Sequence, residues 1–171
     1  LIIPQLRWAE EFISDGFEED MKKSFIHVPN RCPVCGESTK IIKENDSEVL
    51  WCINPECKGK LLGKLTHAVS RNALNIDGLS EATIQKFISL GWLKSIQDIY
   101  YLTKYEKQMK TLDGFGSKSV SKLFDSIEKS RNTTLDRFIY ALSIPLVGKT
   151  ASKAIADAED YQFESFMRDM T

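Results

Sequence analysis

Leu112-Asp113-Gly114-Phe115-Gly116-Ser117-Lys118-Ser119-Val120 is the stretch on which the fold of this 171-residue chain turns. It reads apolar-x-Gly-apolar-Gly and then passes into a helical pattern over Lys118–Arg131. Two glycines around one apolar residue allow a tight turn, with the next helix starting directly behind the second glycine. The first amides of that helix have no partner within it, and the helix dipole adds partial positive charge, so the turn can hold an anion. Lys118 and Lys122, four residues apart, fall on one helix face beside that point.

Two weaker copies lie on either side. Ile76-Asp77-Gly78-Leu79-Ser80 and Ile144-Pro145-Leu146-Val147-Gly148 also sit between helical patterns, and the three last positions are spaced by 36 and 32 residues. The first copy has Ser80 for its second glycine; the third has Leu146 for its first but keeps Gly148, followed by Lys149. Any single Gly-x-Gly can be an ordinary turn between helices. Three in register, one complete, read as tandem helix-hairpin-helix motifs, which bind the phosphate backbone without reading bases. The expected DNA-binding residues are Gly78, Leu79 and Ser80 in the first copy, Gly114, Phe115, Gly116, Lys118 and Lys122 in the second, and Gly148 and Lys149 in the third. A glycosylase reading, with Lys118 as amine nucleophile and Asp136 as acid, competes with plain phosphate binding, and the neighbouring motifs favour the latter.

Upstream, all four cysteines fall in one short segment as Cys32-x2-Cys35 and Cys52-x4-Cys57. Two close pairs separated by a hairpin (strands at Lys40–Glu44 and Glu48–Trp51, turn at Asn45-Asp46-Ser47) give the spacing of a four-thiolate zinc ribbon. Two disulfides or buried free thiols are the alternative, and nothing else in the sequence suggests an oxidising compartment. Four thiolates leave no open position, so the expected Zn2+ is structural, with Cys32, Cys35, Cys52 and Cys57 as ligands.

The net charge of −1 conceals a pattern: residues 1–30 sum to −3, residues 31–156 to +6 and residues 157–171 to −4. A basic middle is the footprint of a polyanion partner. With 42% hydrophobic and 27% charged residues the composition is that of a folding chain, and no apolar run reaches membrane-spanning length. No signal peptide is recognisable, and a start at Leu1 suggests a piece of a longer protein. Trp51 is expected to pack on the ribbon; Trp92, Tyr100, Tyr101, Phe115, Phe124 and Phe138 are expected in the core. Lys104, Lys107 and Lys110 read as a solvated face. Helices are further expected over Ile96–Leu102, Lys104–Thr111, Thr134–Leu142 and Lys149–Ala158, and Gly91 as a helix C-cap.

In this order the motifs resemble those of bacterial NAD+-dependent DNA ligases. The resemblance runs from Cys32-Pro33-Val34-Cys35-Gly36 and Cys52-Ile53-Asn54-Pro55-Glu56-Cys57 through His67–Leu79, Leu112–Ser119 and Ala141–Gly148, covering roughly residues 28–158. Leu1-Ile2-Ile3-Pro4 is similar to the end of that family's OB-fold domain. Ser80 and Ser143 stand where the family usually has glycine, and Pro145 where it has a basic residue. The resemblance implies a longer enzyme that uses NAD+ and Mg2+ to seal 5′-phosphate/3′-hydroxyl nicks during replication and repair. Its adenylated Lys-x-Asp-Gly has no counterpart here; Lys110-Thr111-Leu112-Asp113-Gly114 is one residue too long, so no catalytic residue is expected in this piece.

The sequence thus leads to a mainly α protein. Residues 1–30 are the tail of an upstream OB-like domain and a linker; 31–59 are a four-Cys zinc finger. Residues 60–158 form a helix-hairpin-helix domain, and 159–171 begin a further helical repeat. The expected partner is nicked double-stranded DNA, gripped by a monomer in the bacterial cytoplasm at the nucleoid, away from membranes. A non-enzymatic DNA-repair adaptor built from the same modules is the alternative.

Overall fold

The computed structural model describes residues 28–44 and 47–169; of the expected OB-like tail and linker over residues 1–30, residues 1–27 lie outside the described residues. Two strands, β1 (Thr39–Glu44) and β2 (Ser47–Cys52), precede seven α-helices among the described residues. These are α1 (Lys58–Val69), α2 (Glu81–Ser89), α3 (Glu106–Met109), α4 (Ser117–Ser130), α5 (Leu135–Ala141), α6 (Lys149–Ala158) and α7 (Phe163–Asp169), with a 3-10 helix, Gln97–Tyr105, between α2 and α3. The mainly α architecture expected from the sequence is the one observed. The described residues divide into two compact units, one holding those up to Cys32 together with those from Glu37 to Ile53, the other holding Pro33–Gly36 and those from Asn54 onward.

The first unit is an antiparallel hairpin in the register Thr39↔Cys52 through Glu44↔Ser47. Ser47 therefore belongs to the strand rather than to the turn. An isolated bridge, Arg31↔Ser38, and the Thr39 hydroxyl donating to the Pro29 carbonyl at 2.5 Å extend the pairing toward the cysteine knuckle. Trp51, expected to pack on the ribbon, keeps 47% of its surface exposed there. A two-stranded sheet has too little depth to bury an indole.

The second unit has two hydrophobic clusters. The larger gathers Leu65, Ala68 and Val69 of α1, Ile84, Phe87 and Ile88 of α2, Ile99 and Leu102 of the 3-10 helix, and Val120, Leu123 and Ile127 of α4. Phe87 is its centre, fully buried, with Trp92 at 5.1 Å and Phe115 at 5.6 Å between ring centroids. Trp92 in turn stacks on Tyr105 at 4.7 Å. The smaller cluster joins Leu135 and Ile139 of α5, Ala156 of α6 and Phe166 of α7.

Ile96–Leu102 and Lys104–Thr111 were each expected as ordinary helices. Instead a 3-10 helix covers Gln97–Tyr105 and only one α-turn follows it. The reason is a period of three: Ile96, Ile99, Leu102 and Tyr105 share one face only when each turn takes three residues, and all four pack into or against the larger cluster. Asp98 fixes its start by accepting from the Lys94 and Ser95 amides, both at 2.9 Å, and from the Ser95 hydroxyl at 3.0 Å. Partial burial pushes the Asp98 carboxyl up, but these hydrogen bonds and the charge of Lys104 outweigh it and hold it below the ordinary carboxylate range. Tyr101 stays 62% exposed, because period three turns it outward; Trp92, Tyr100, Phe115 and Phe124 pack against the larger cluster, and Phe138 against the smaller, as expected.

Candidate metal centre and nucleic-acid interface

The metal-ligand candidates come together. The Sγ atoms of Cys32, Cys35, Cys52 and Cys57 all lie within 4.8 Å of one another, and none of the four forms a disulfide. A tetrahedral ion with thiolates at about 2.3 Å requires Sγ···Sγ edges of roughly 3.8 Å, so the donor set fits that geometry. Cys32 and Cys57 are buried, and Cys35 and Cys52 half-buried. Local structure explains the positions. The Cys32 amide donates to the Glu37 carbonyl at 2.7 Å, closing the first knuckle. In the second, the Asn54 side chain accepts from the Glu56 amide at 2.9 Å. Cys57 is itself the N-cap of α1.

The three hairpins share one backbone. Gly78 (φ +92), Gly114 (φ +84) and Leu146 (φ +65) take the left-handed conformation at the first motif position. Ser80, Gly116 and Gly148 are extended N-caps of α2, α4 and α6 at the last. The apolar residue between them anchors each turn: Leu79 in the larger cluster, Phe115 against it, and Val147 against the smaller one.

Their helix starts differ chemically. In the first hairpin the Ser80 hydroxyl accepts from the Thr83 amide at 3.2 Å, and Glu81 puts a negative charge in the first turn. The same turn is packed down. The Asp77 amide donates to the Ser126 hydroxyl at 2.8 Å, and a Cβ on Gly78 would meet Leu123 at 3.4 Å. At Gly116 and Gly148 no side chain caps the helix, and neither first turn carries an acid. A Cβ at either glycine would meet nothing within 4 Å. Lys118 and Lys122 on α4 and Lys149 on α6 are exposed beside these starts, and so is Lys153, one turn after Lys149. None of the four joins an ion pair found among the described residues. Uncapped amides plus free lysines at two helix starts suit an oxyanion.

Lys153 was missed at the sequence level, although it repeats the Lys118/Lys122 spacing. So was Arg137, which holds the hairpin array together: its guanidinium donates to the Ala73 carbonyl at 2.8 Å and the Arg71 carbonyl at 2.5 Å, tying α5 to the loop after α1. His67 Nδ1 and the Ser143 hydroxyl, 2.9 Å apart, make a second tie just before the third hairpin. Lys104, Lys107 and Lys110 are exposed; Lys110 pairs with Glu106 at 2.6 Å and Lys104 lies over the Tyr105 ring.

No protein-family model matches the chain. Individual relatives do. A DNA ligase of Lachnoclostridium phytofermentans is 41% identical over 163 residues, which is 95% of this chain and 23% of the relative. A DNA ligase of Ruminiclostridium cellulolyticum is 40% identical over 91% of the chain and 22% of its own length; one of Petrotoga mobilis is 43% identical over 80% and 20%. The chain therefore spans about a fifth to a quarter of the length of these curated relatives. Over most of its length it is similar to one segment of each of these DNA ligases.

Proposed function

We propose that this chain is the zinc-binding and DNA-gripping part of an NAD+-dependent DNA ligase, with residues 31–59 as the zinc finger and 60–158 as the hairpin array. Zn2+ on Cys32, Cys35, Cys52 and Cys57 has a structural role. It closes the ribbon, a segment too small to be held by core burial alone. The second and third hairpins hold phosphates of a nicked duplex through the amides behind Gly116 and Gly148, with Lys118, Lys122, Lys149 and Lys153 supplying charge. The first hairpin, self-capped by Ser80 and packed on α4, contributes mainly by positioning its neighbours.

The observation that carries this reading is the pair of helix starts with a glycine N-cap, no acid in the first turn and exposed lysines alongside. Nick sealing, with its NAD+ and Mg2+, belongs to the rest of the longer enzyme, in replication and repair. These 171 residues contain no Lys-x-Asp-Gly nucleophile. The same absence suits the adaptor alternative; similarity to segments of DNA ligases favours the ligase. The test is duplex binding by the purified, zinc-loaded chain over a salt series. Roughly four neutralised phosphates predict that log K falls with log salt at a slope of about −3.5. Binding that is absent, or indifferent to salt, contradicts the proposal.

A further inference from the structure

The third hairpin differs from the other two in one respect that phosphate binding does not use. Its first motif position, left-handed in all three, carries a leucine where the others have glycine. Leu146 is 95% exposed, the highest value among the exposed large hydrophobic residues described, while its neighbours Ile144 and Val147 pack against the smaller cluster. The preceding position is Pro145, exposed and uncharged, where the first two hairpins carry Asp77 and Asp113. The tip is thus apolar and without charge. It is closed by the Val147 amide donating to the Ile144 carbonyl at 3.1 Å, and Leu146 stands three residues before Lys149, the first residue behind the Gly148 cap.

We infer that Leu146 is a groove-contacting residue: with the third hairpin on a phosphate, its side chain enters the adjacent minor groove of the duplex. The inference rests on the DNA-gripping reading above. A groove about 6 Å wide admits one side chain at a hairpin tip, whereas the major groove, about twice as wide, suits a whole helix. An isobutyl group offers no hydrogen bond to a base edge. It can displace groove water and pack against the groove walls, with shape and width as what it senses. The second hairpin makes no equivalent contact, since Gly114 has no side chain and Phe115 is turned inward against Phe87.

The test compares the zinc-loaded chain with Leu146→Asn and Lys149→Ala on a nicked, A·T-rich duplex, free or filled with a minor-groove ligand such as netropsin. Asn tolerates the left-handed backbone, so the variant keeps its fold, as its melting temperature would verify. Leu146→Asn should weaken binding roughly tenfold, about what losing a buried leucine side chain predicts, with the salt slope unchanged. Lys149→Ala should reduce that slope by about one. Netropsin should weaken the unmodified chain and leave Leu146→Asn nearly unaffected. If Lys149→Ala flattens the slope but Leu146→Asn binds normally, or netropsin affects both chains alike, the groove contact is refuted and phosphate binding stands. If the unmodified chain binds no duplex, the underlying reading falls and the inference with it.

Discussion

Replacing Gly116 by valine separates folding from binding at the second hairpin. Gly116 has φ −79° and ψ 168°, an extended conformation that a β-branched residue adopts readily, and a Cβ there meets nothing within 4 Å. The cost to stability is that of a poorer N-cap, about 0.5–1 kcal/mol. Outside the fold the effect is larger, because the two methyl groups occupy the space in front of the Ser117 and Lys118 amides, where a phosphate oxygen would sit. Losing one charge-assisted hydrogen bond costs about 1.5–3 kcal/mol, or roughly 10- to 150-fold in Kd. One phosphate fewer should also bring the salt slope about 0.9 closer to zero. Fluorescence anisotropy with a labelled nicked duplex at several salt concentrations measures both, with zinc content and melting temperature as controls for folding. Gly114 would be a poorer choice, since its φ of +84° makes any side chain strain the turn itself. Unchanged affinity and slope in a folded Gly116→Val protein would refute the assignment of the second hairpin as a phosphate site.

Other consequences are as direct. Cys57→Ala should abolish stoichiometric zinc binding and unfold the ribbon, since structural zinc contributes about 10–16 kcal/mol of apparent binding energy in small zinc modules; metal analysis with far-ultraviolet circular dichroism reads both. Arg137→Ala should destabilise the helical unit by about 1.5–3 kcal/mol in urea melts, because its guanidinium bonds both the Ala73 and Arg71 carbonyls. Asp98 gives a pH dependence. Its folded pKa lies below the ordinary value near 3.9, so between the two the unfolded chain binds more protons. Its contribution is complete above the ordinary value and is lost as pH falls through the depressed one. Asp98→Asn should therefore be less stable than the unmodified chain at neutral pH and lose that difference in acid, followed by urea midpoints across the acid range.

The parts legible in the sequence are those whose cause is local. Two cysteine pairs with a hairpin between them specify a metal geometry by spacing alone, and the Sγ atoms do converge. Gly78 and Gly114 advertise a left-handed turn, and the helices behind them start where the motif ends. Leu146 hides the same turn, because its backbone is imposed by Ile144 and Val147 anchoring on either side. Composition at one position carries no trace of that. Arg137 could not be read either, since its carbonyl partners lie 64 and 66 residues upstream. The 3-10 helix was a signal present and misread: Ile96, Ile99, Leu102 and Tyr105 state a period of three, which resembles a helical stripe over so short a span. The differing helix starts of the three hairpins rest on Ser80 and Glu81, whose capping and charge act only once the helix start is in place.

On this proposal, one chain combines a structural zinc with a backbone grip on duplex DNA. Anisotropy of nicked and intact duplexes titrated with the purified chain over a salt series, with zinc quantified in the same sample, tests it most directly. The account predicts one zinc per chain and binding to both duplexes that weakens steeply with salt. One zinc per chain with no duplex binding at low salt would contradict it and reduce the hairpins to structural turns.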